Sequence, residues 1–89
     1  MAKEVSAADA RRIGDALGIH WDRFDVKQFQ TGIKVEFEHG SRDPQTDVTH
    51  DDEMLTGKIA WAHLKEFPDY YTRLAKMETD AKAFWDKTK

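Results

Sequence analysis

Apolar residues along the chain recur every three or four positions rather than every second one, the spacing of helices that bury one face. Ala10, Ile13 and Leu17 make the first stripe. Ser6, followed three residues later by Asp9, forms a capping box with Asp in place of the usual Glu, and Gly18 suits a left-handed stop. These signals predict a helix over about residues 7–17.

Val26, Phe29, Ile33 and Phe37 make the second stripe. Asp25 is its cap, Gln28 takes the third helical position, Phe24 staples onto Phe29, and Gly40 closes the helix. The segment SRDPQTDVTH, rich in turn formers around Pro44, reads as a loop. Thr49 with Asp52, or Asp51 itself, opens a third helix that runs to about Glu66 or Phe67. Its Leu55, Ile59 and Ala62 define one apolar face, while Trp61, Leu64 and Phe67 lie on another, and Gly57 allows a neighbouring helix to come close. Such an apolar surplus is expected to be core between several neighbours, with a homodimer surface as the second expectation. Pro68 takes the first position of a fourth helix. Tyr70, Leu74, Met77, Ala81 and Phe84 or Trp85 form its stripe, the most regular in the chain. No segment alternates as a strand would. The predicted fold class is all-α, a compact bundle or orthogonal array of about four helices, in one domain over residues 1–89 with its core over 6–86.

Composition narrows the function. Charged residues reach 35% and hydrophobic ones 39%, yet five Phe, three Trp and two Tyr supply the bulk that folding needs. Net charge is −3, and no basic run exceeds Arg11-Arg12, which argues against nucleic acid as a partner. The chain has no cysteine, so disulfides, thiolate metal sites and Cys nucleophiles are excluded. MAKEVSAADA lacks the apolar segment of a secretion signal, and no apolar run is long enough to span a bilayer. Residence in the cytoplasm, away from membranes, is expected.

Two Glu/His pairs carry the candidate chemistry. Glu36 and His39 stand three residues apart in KVEFEHG, and His63 and Glu66 repeat the pair in reverse in AWAHLKEFPDYY. At 100° per residue, Glu36 falls about 20° beyond Phe29, on the edge of the second stripe, and His39 about 60° further round. Glu66 falls in the middle of the face made by Leu55, Ile59 and Ala62, with His63 beside it. A carboxylate among apolar residues is costly unless it is paired, protonated or metal-bound. Glu36, His39, His63 and Glu66 together make a mixed oxygen and nitrogen set suited to Zn²⁺, Fe²⁺ or Mn²⁺, with Tyr70 or Tyr71 supporting it. Glu-x-x-His is also the ligand spacing of di-iron helical proteins, although here the second pair is reversed and further bridging carboxylates are missing. A tight hairpin would hold the two pairs about 15–20 Å apart, so they meet only if the loop lets the helices slide or cross. The competing expectation makes these residues structural, hydrogen-bonded across helices with Tyr70, Tyr71 or Arg73 as partners.

Other features point to bland roles. Asp43, Asp47, His50, Asp51 and Asp52 crowd the loop but lack the glycine and terminal glutamate of a calcium loop, so turn formation and capping account for them. His20, beside Trp21, is expected to pack on the bundle as a connector. No Ser–His–Asp order stands out, and the expectation leans away from an enzyme.

The segments ARRIGDALGI, FDVKQFQTGIKVEFEHG and GKIAWAHLKEFPDYYTRLAKME resemble a family of small bacterial and phage proteins of unknown function. The family's features are a Glu-x-x-His ending one helix and a later His-Leu-x-Glu-x-Pro-x-Tyr-Tyr segment. Here they are matched by Glu36, His39, His63, Glu66, Pro68, Tyr70 and Tyr71, and the likeness covers about residues 10–78. It implies an independent compact domain and brings no activity with it. The sequence therefore leads to two functional expectations: a divalent-metal domain, or an interaction or assembly module in which the Glu/His pairs are structural.

Overall fold

Side chains build the helix starts. Ser6 accepts from Asp9 N while the Asp9 carboxylate takes the Ser6 N–H, completing the capping box of α1 (Ala7–Leu17). Asp25 accepts from Gln28 N to open α2 (Val26–Arg42), and Asp52 accepts from Leu55 N to open α3 (Glu53–Glu66). A last helix, α4, runs from Tyr70 to Lys87. The computed structural model describes residues 4–87, and no strand occurs among them. The chain is an all-α bundle, as the apolar spacing predicts.

The core lies where α1, α2 and α3 meet. Phe29, Ile33 and Phe37 of α2 face Ala10 and Ile13 of α1 and Ala60 and Leu64 of α3, each 1% exposed or less. Burying each of the larger side chains contributes about 1.5–3 kcal/mol. Gly18 ends α1 at φ 93°, donating its N–H to Asp15 and Gly14 carbonyls. The connector then buries Ile19 and sets Trp21 edge-on to Phe24 and Phe29, with ring centroids 6.1 and 5.6 Å apart. Phe24 also reaches Phe29, at 6.5 Å, as the staple requires. His20 itself is exposed; its neighbours do the packing.

Four sequence expectations are corrected. Gly40 does not stop α2, which continues to Arg42, because the loop folds back and sets Asp47 and Thr49 against Gly40. Pro68 lies in the turn before α4 rather than at its first residue. α3 is not buried on both of its apolar faces: Thr56, Gly57, Ala60 and Leu64 meet the core, with Gly57 allowing the expected close approach, while Leu55 on the other face is 46% exposed. Small residues win there because they let α3 lie close: a Cβ on Gly57 would stand 2.8 Å from Ile13 Cγ2. Thr56 tolerates burial by donating to Asp52 O at 2.7 Å.

The fourth correction is α4. Only the start of its stripe reaches the core: Tyr70 and Leu74 pack half-buried against it beside the buried Tyr71, while every residue from Ala75 to Lys87 is exposed. The exposed end of α4 extends from the compact bundle, giving overall dimensions of 44 × 26 × 20 Å and a radius of gyration of 13.7 Å.

Candidate functional site

Glu36 is the centre of a polar knot that joins three helices. It sits on the third turn of α2, beside the buried Phe37, with its side chain 10% exposed. Tyr71 of α4 donates its hydroxyl to Glu36 Oε2 at 2.8 Å. His63 of α3 brings Nε2 to 3.9 Å from the same oxygen, and His39 brings Nδ1 to 3.8 Å from Oε1. On its far side, His39 Nε2 meets Glu78 Oε1 of α4 at 3.1 Å, which places a donating N–H on that nitrogen.

Packing holds each member in place. Tyr71 reaches Glu36 because α2 presents a glycine beneath the ring: a Cβ on Gly32 would stand 2.5 Å from Tyr71 Cε2. The His63 ring stacks on Tyr70 at 4.3 Å and 11°, and meets Tyr71 edge-on at 6.2 Å. Its Nδ1 is buried without a hydrogen-bond partner, so the ring is positioned by stacking and by the Glu36 charge. Burial pushes the Tyr71 phenol well above its ordinary range, and the neighbouring Glu36 carboxylate pushes it further. Tyr71 therefore remains a donor wherever the fold is stable.

The loop settles whether the two pairs meet. It carries the chain so that the last turn of α3, rather than its start, lies beside Glu36, and His63 of the second pair meets Glu36 of the first. Glu36, His39 and His63 are brought together; Glu66, on the side of α3 away from the core, is exposed and does not join them. Glu78 stands in its place and was not foreseen. The signal was present, because Glu78 follows Tyr71 by seven residues and so shares its face. Among the described residues no group of three or more His, Cys, Asp or Glu side chains is placed to hold a metal ion.

A groove of about 420 Å³ opens beside the knot, lined by Glu36, His39, Arg42, Thr46, Thr49 and Ile59 among others. Its loop wall is self-contained. Asp43 accepts from Gln45 N, and Asp47 accepts from Thr49 N and His50 N, so those aspartates build turns.

The second candidate surface is on α4. Met77, Phe84 and Trp85 are 59, 58 and 64% exposed, and Phe84 and Trp85 pack edge-to-face at 5.1 Å. At its base an apolar hollow of about 200 Å³ is lined by Phe67, Tyr70, Arg73, Leu74 and Met77. No helix among the described residues is long and apolar enough to cross a membrane. Comparison with curated proteins and with solved structures gave no match. One family model does match, over residues 10–80, which takes in the Glu36 knot and the hollow at the base of α4 but ends before Phe84 and Trp85: the chain belongs to the DUF5661 family, proteins of unknown function.

Proposed function

We propose that the protein is a small interaction or assembly module, with the distal part of α4 as its docking element and the Glu36 knot as the clamp that aims it. One observation carries this reading: a thirteen-residue run, 75–87, stays helical with every residue exposed while presenting Met77, Phe84 and Trp85. A helix of that length has little stability alone in water, and most helical stability in proteins comes from packing an apolar face. The Tyr71–Glu36 and His39–Glu78 bonds tie the first half of α4 to α2, so the distal half leaves the bundle in a set direction. The test is the size of the protein at its native level in source cells, beside a Met77→Ser/Phe84→Ser variant. The wild type is expected to run as a complex and the variant at the 10.3 kDa of the chain. Single-chain size for both would overturn the reading.

A divalent metal is the second reading, and one observation favours it: Glu36 lies 3.8 and 3.9 Å from imidazole nitrogens of two different residues. Glu36, His39 and His63 would have to draw inward around an ion, without Glu66. Elemental analysis of tag-free protein, with Glu36→Ala and His63→Ala alongside, tests it. Near-stoichiometric Zn, Fe or Mn in the wild type, lost in both variants, would support it; metal-free wild type would end it.

A further inference from the structure

Leu74, Met77, Ala81 and Phe84 follow one another at alternating spacings of three and four residues, which is the a/d seam of a two-stranded coiled coil. With Leu74 and Ala81 at a and Met77 and Phe84 at d, the outer b, c and f positions are Ala75, Lys76, Thr79, Lys82, Ala83 and Asp86. The outer side is thus small or polar throughout. Arg73, Asp80 and Lys87 take g, and Glu78 and Trp85 take e.

Resting on the reading of α4 as a docking element, we propose that its partner is a second copy of this chain, paired through parallel α4 helices about a two-fold axis. Charge selects both the partner and the direction. In a parallel pair each g residue faces the e residue five positions on in the other helix, so Arg73, whose Nε already bonds Asp69 of its own chain at 2.8 Å, turns its remaining donors toward Glu78 of the other chain, twice by symmetry. In an antiparallel pair with the same layers, Asp80 would face Asp80, Glu78 would face Glu78, and Arg73 would face Lys87. Each of those contacts sets like charges together, which disfavours the arrangement.

The geometry of the bundle permits the parallel form. Tyr71 and Glu78 mark the side of α4 that faces its own bundle, and Leu74, half-buried against the core, stands at the boundary between that side and the seam. The seam lies on average about a quarter turn away from that side. A two-fold axis along the seam therefore leaves the two bundles on opposite flanks. The hollow lined by Phe67, Tyr70, Arg73, Leu74 and Met77 continues the seam toward the bundle and extends the apolar contact beyond the helix. The existing Glu78–His39 bond uses Oε1 and holds Glu78 at the edge of the seam.

The experiment uses the purified full chain alone, by light scattering over a wide dilution range, together with oxidative cross-linking of single-cysteine variants. The chain has no native cysteine, so every cross-link is assignable. Wild type is expected to reach twice the 10.3 kDa chain mass at high concentration, and Met77→Asp to remain single. Ala81→Cys, at an a position that meets itself in the parallel pair, is expected to cross-link; Lys76→Cys, on the outer side, is not. A wild type that stays single up to millimolar concentration overturns the self-pairing; if the protein is still in a complex at its native level, the docking reading survives with a different partner. A dimer that persists in Met77→Asp overturns the seam. A dimer in which Ala81→Cys fails to cross-link to itself, but does cross-link to Met77→Cys of a mixed partner, overturns the parallel direction.

Discussion

Glu36 and Glu66 have similar positions in the sequence pattern, each near an apolar stripe and three residues from a histidine, but opposite surroundings in the fold. Glu36 is held by Tyr71 and flanked by two imidazoles; Glu66 is exposed. Glu66→Ala is therefore expected to change stability by less than about 0.5 kcal/mol in denaturant unfolding. Tyr71→Phe, which removes a hydrogen bond to a charged group, is expected to cost about 1.5–3 kcal/mol. Tyr71 also sets an alkaline limit. Its folded pKa is raised above the unfolded 10.0, so the stabilisation is fully present below pH 10 and is lost as pH rises, since the unfolded chain can release the proton and the folded chain holds it. Stability should fall by about 1.4 kcal/mol per pH unit above pH 10 from this group. Subtracting the Tyr71→Phe unfolding profile from that of the wild type should isolate that slope, and equal profiles would show that Tyr71 does not control it.

At the scale of elements, caps were the most legible feature and packing faces the least. Ser6 and Asp25 act through bonds within three residues of themselves, so local sequence contains all the information they need; α3 opens instead at Asp52, past both Thr49 and Asp51, because in that run of cap formers local sequence offers several equivalent starts. The face of α3 depends on what approaches it. Thr56, Gly57 and Ala60 look like a poor core by hydrophobicity, yet Gly57 is what lets Ile13, Leu17 and Phe29 come close; a larger side chain there would hold α1 away. The same error put Glu66 in the candidate site, because it shares a face with Leu55 and Ile59. Glu36, His39 and His63 were legible as a group, since stripe edges attract attention, but their meeting depended on the offset created by a ten-residue loop, which no local signal encodes. Close approach makes the glycines testable. Gly32→Ala would gain about 1 kcal/mol of helix propensity, but its Cβ would stand 2.5 Å from the Tyr71 ring, and overpacking costs about 1–3 kcal/mol. Net destabilisation is expected in thermal unfolding, with the Tyr71–Glu36 bond disturbed. A rise in melting temperature would show that the ring can retreat freely, and that the knot is looser than its geometry.

At the scale of the whole molecule, stability is distributed unevenly. The core sits among α1, α2 and α3, the knot ties the near half of α4 to it, and beyond Glu78 no buried side chain supports the helix. Extending an existing helix avoids the unfavourable nucleation step, so the distal segment can remain helical in a single chain, but each residue adds little. Local opening there should therefore be far easier than global unfolding. Amide exchange measured at low concentration is expected to find residues 80–87 only slightly protected, while Ile33 and Leu64 exchange at the rate set by global unfolding. Pairing of α4 links the distal helix to association, so its protection should rise with concentration while that of Ile33 and Leu64 changes much less. The concentration dependence should vanish in Met77→Ser/Phe84→Ser, which removes apolar area without touching the knot. Strong protection of the distal amides at every dilution would mean instead that the segment is stable by itself, and its exposed stripe would then need no partner to account for it.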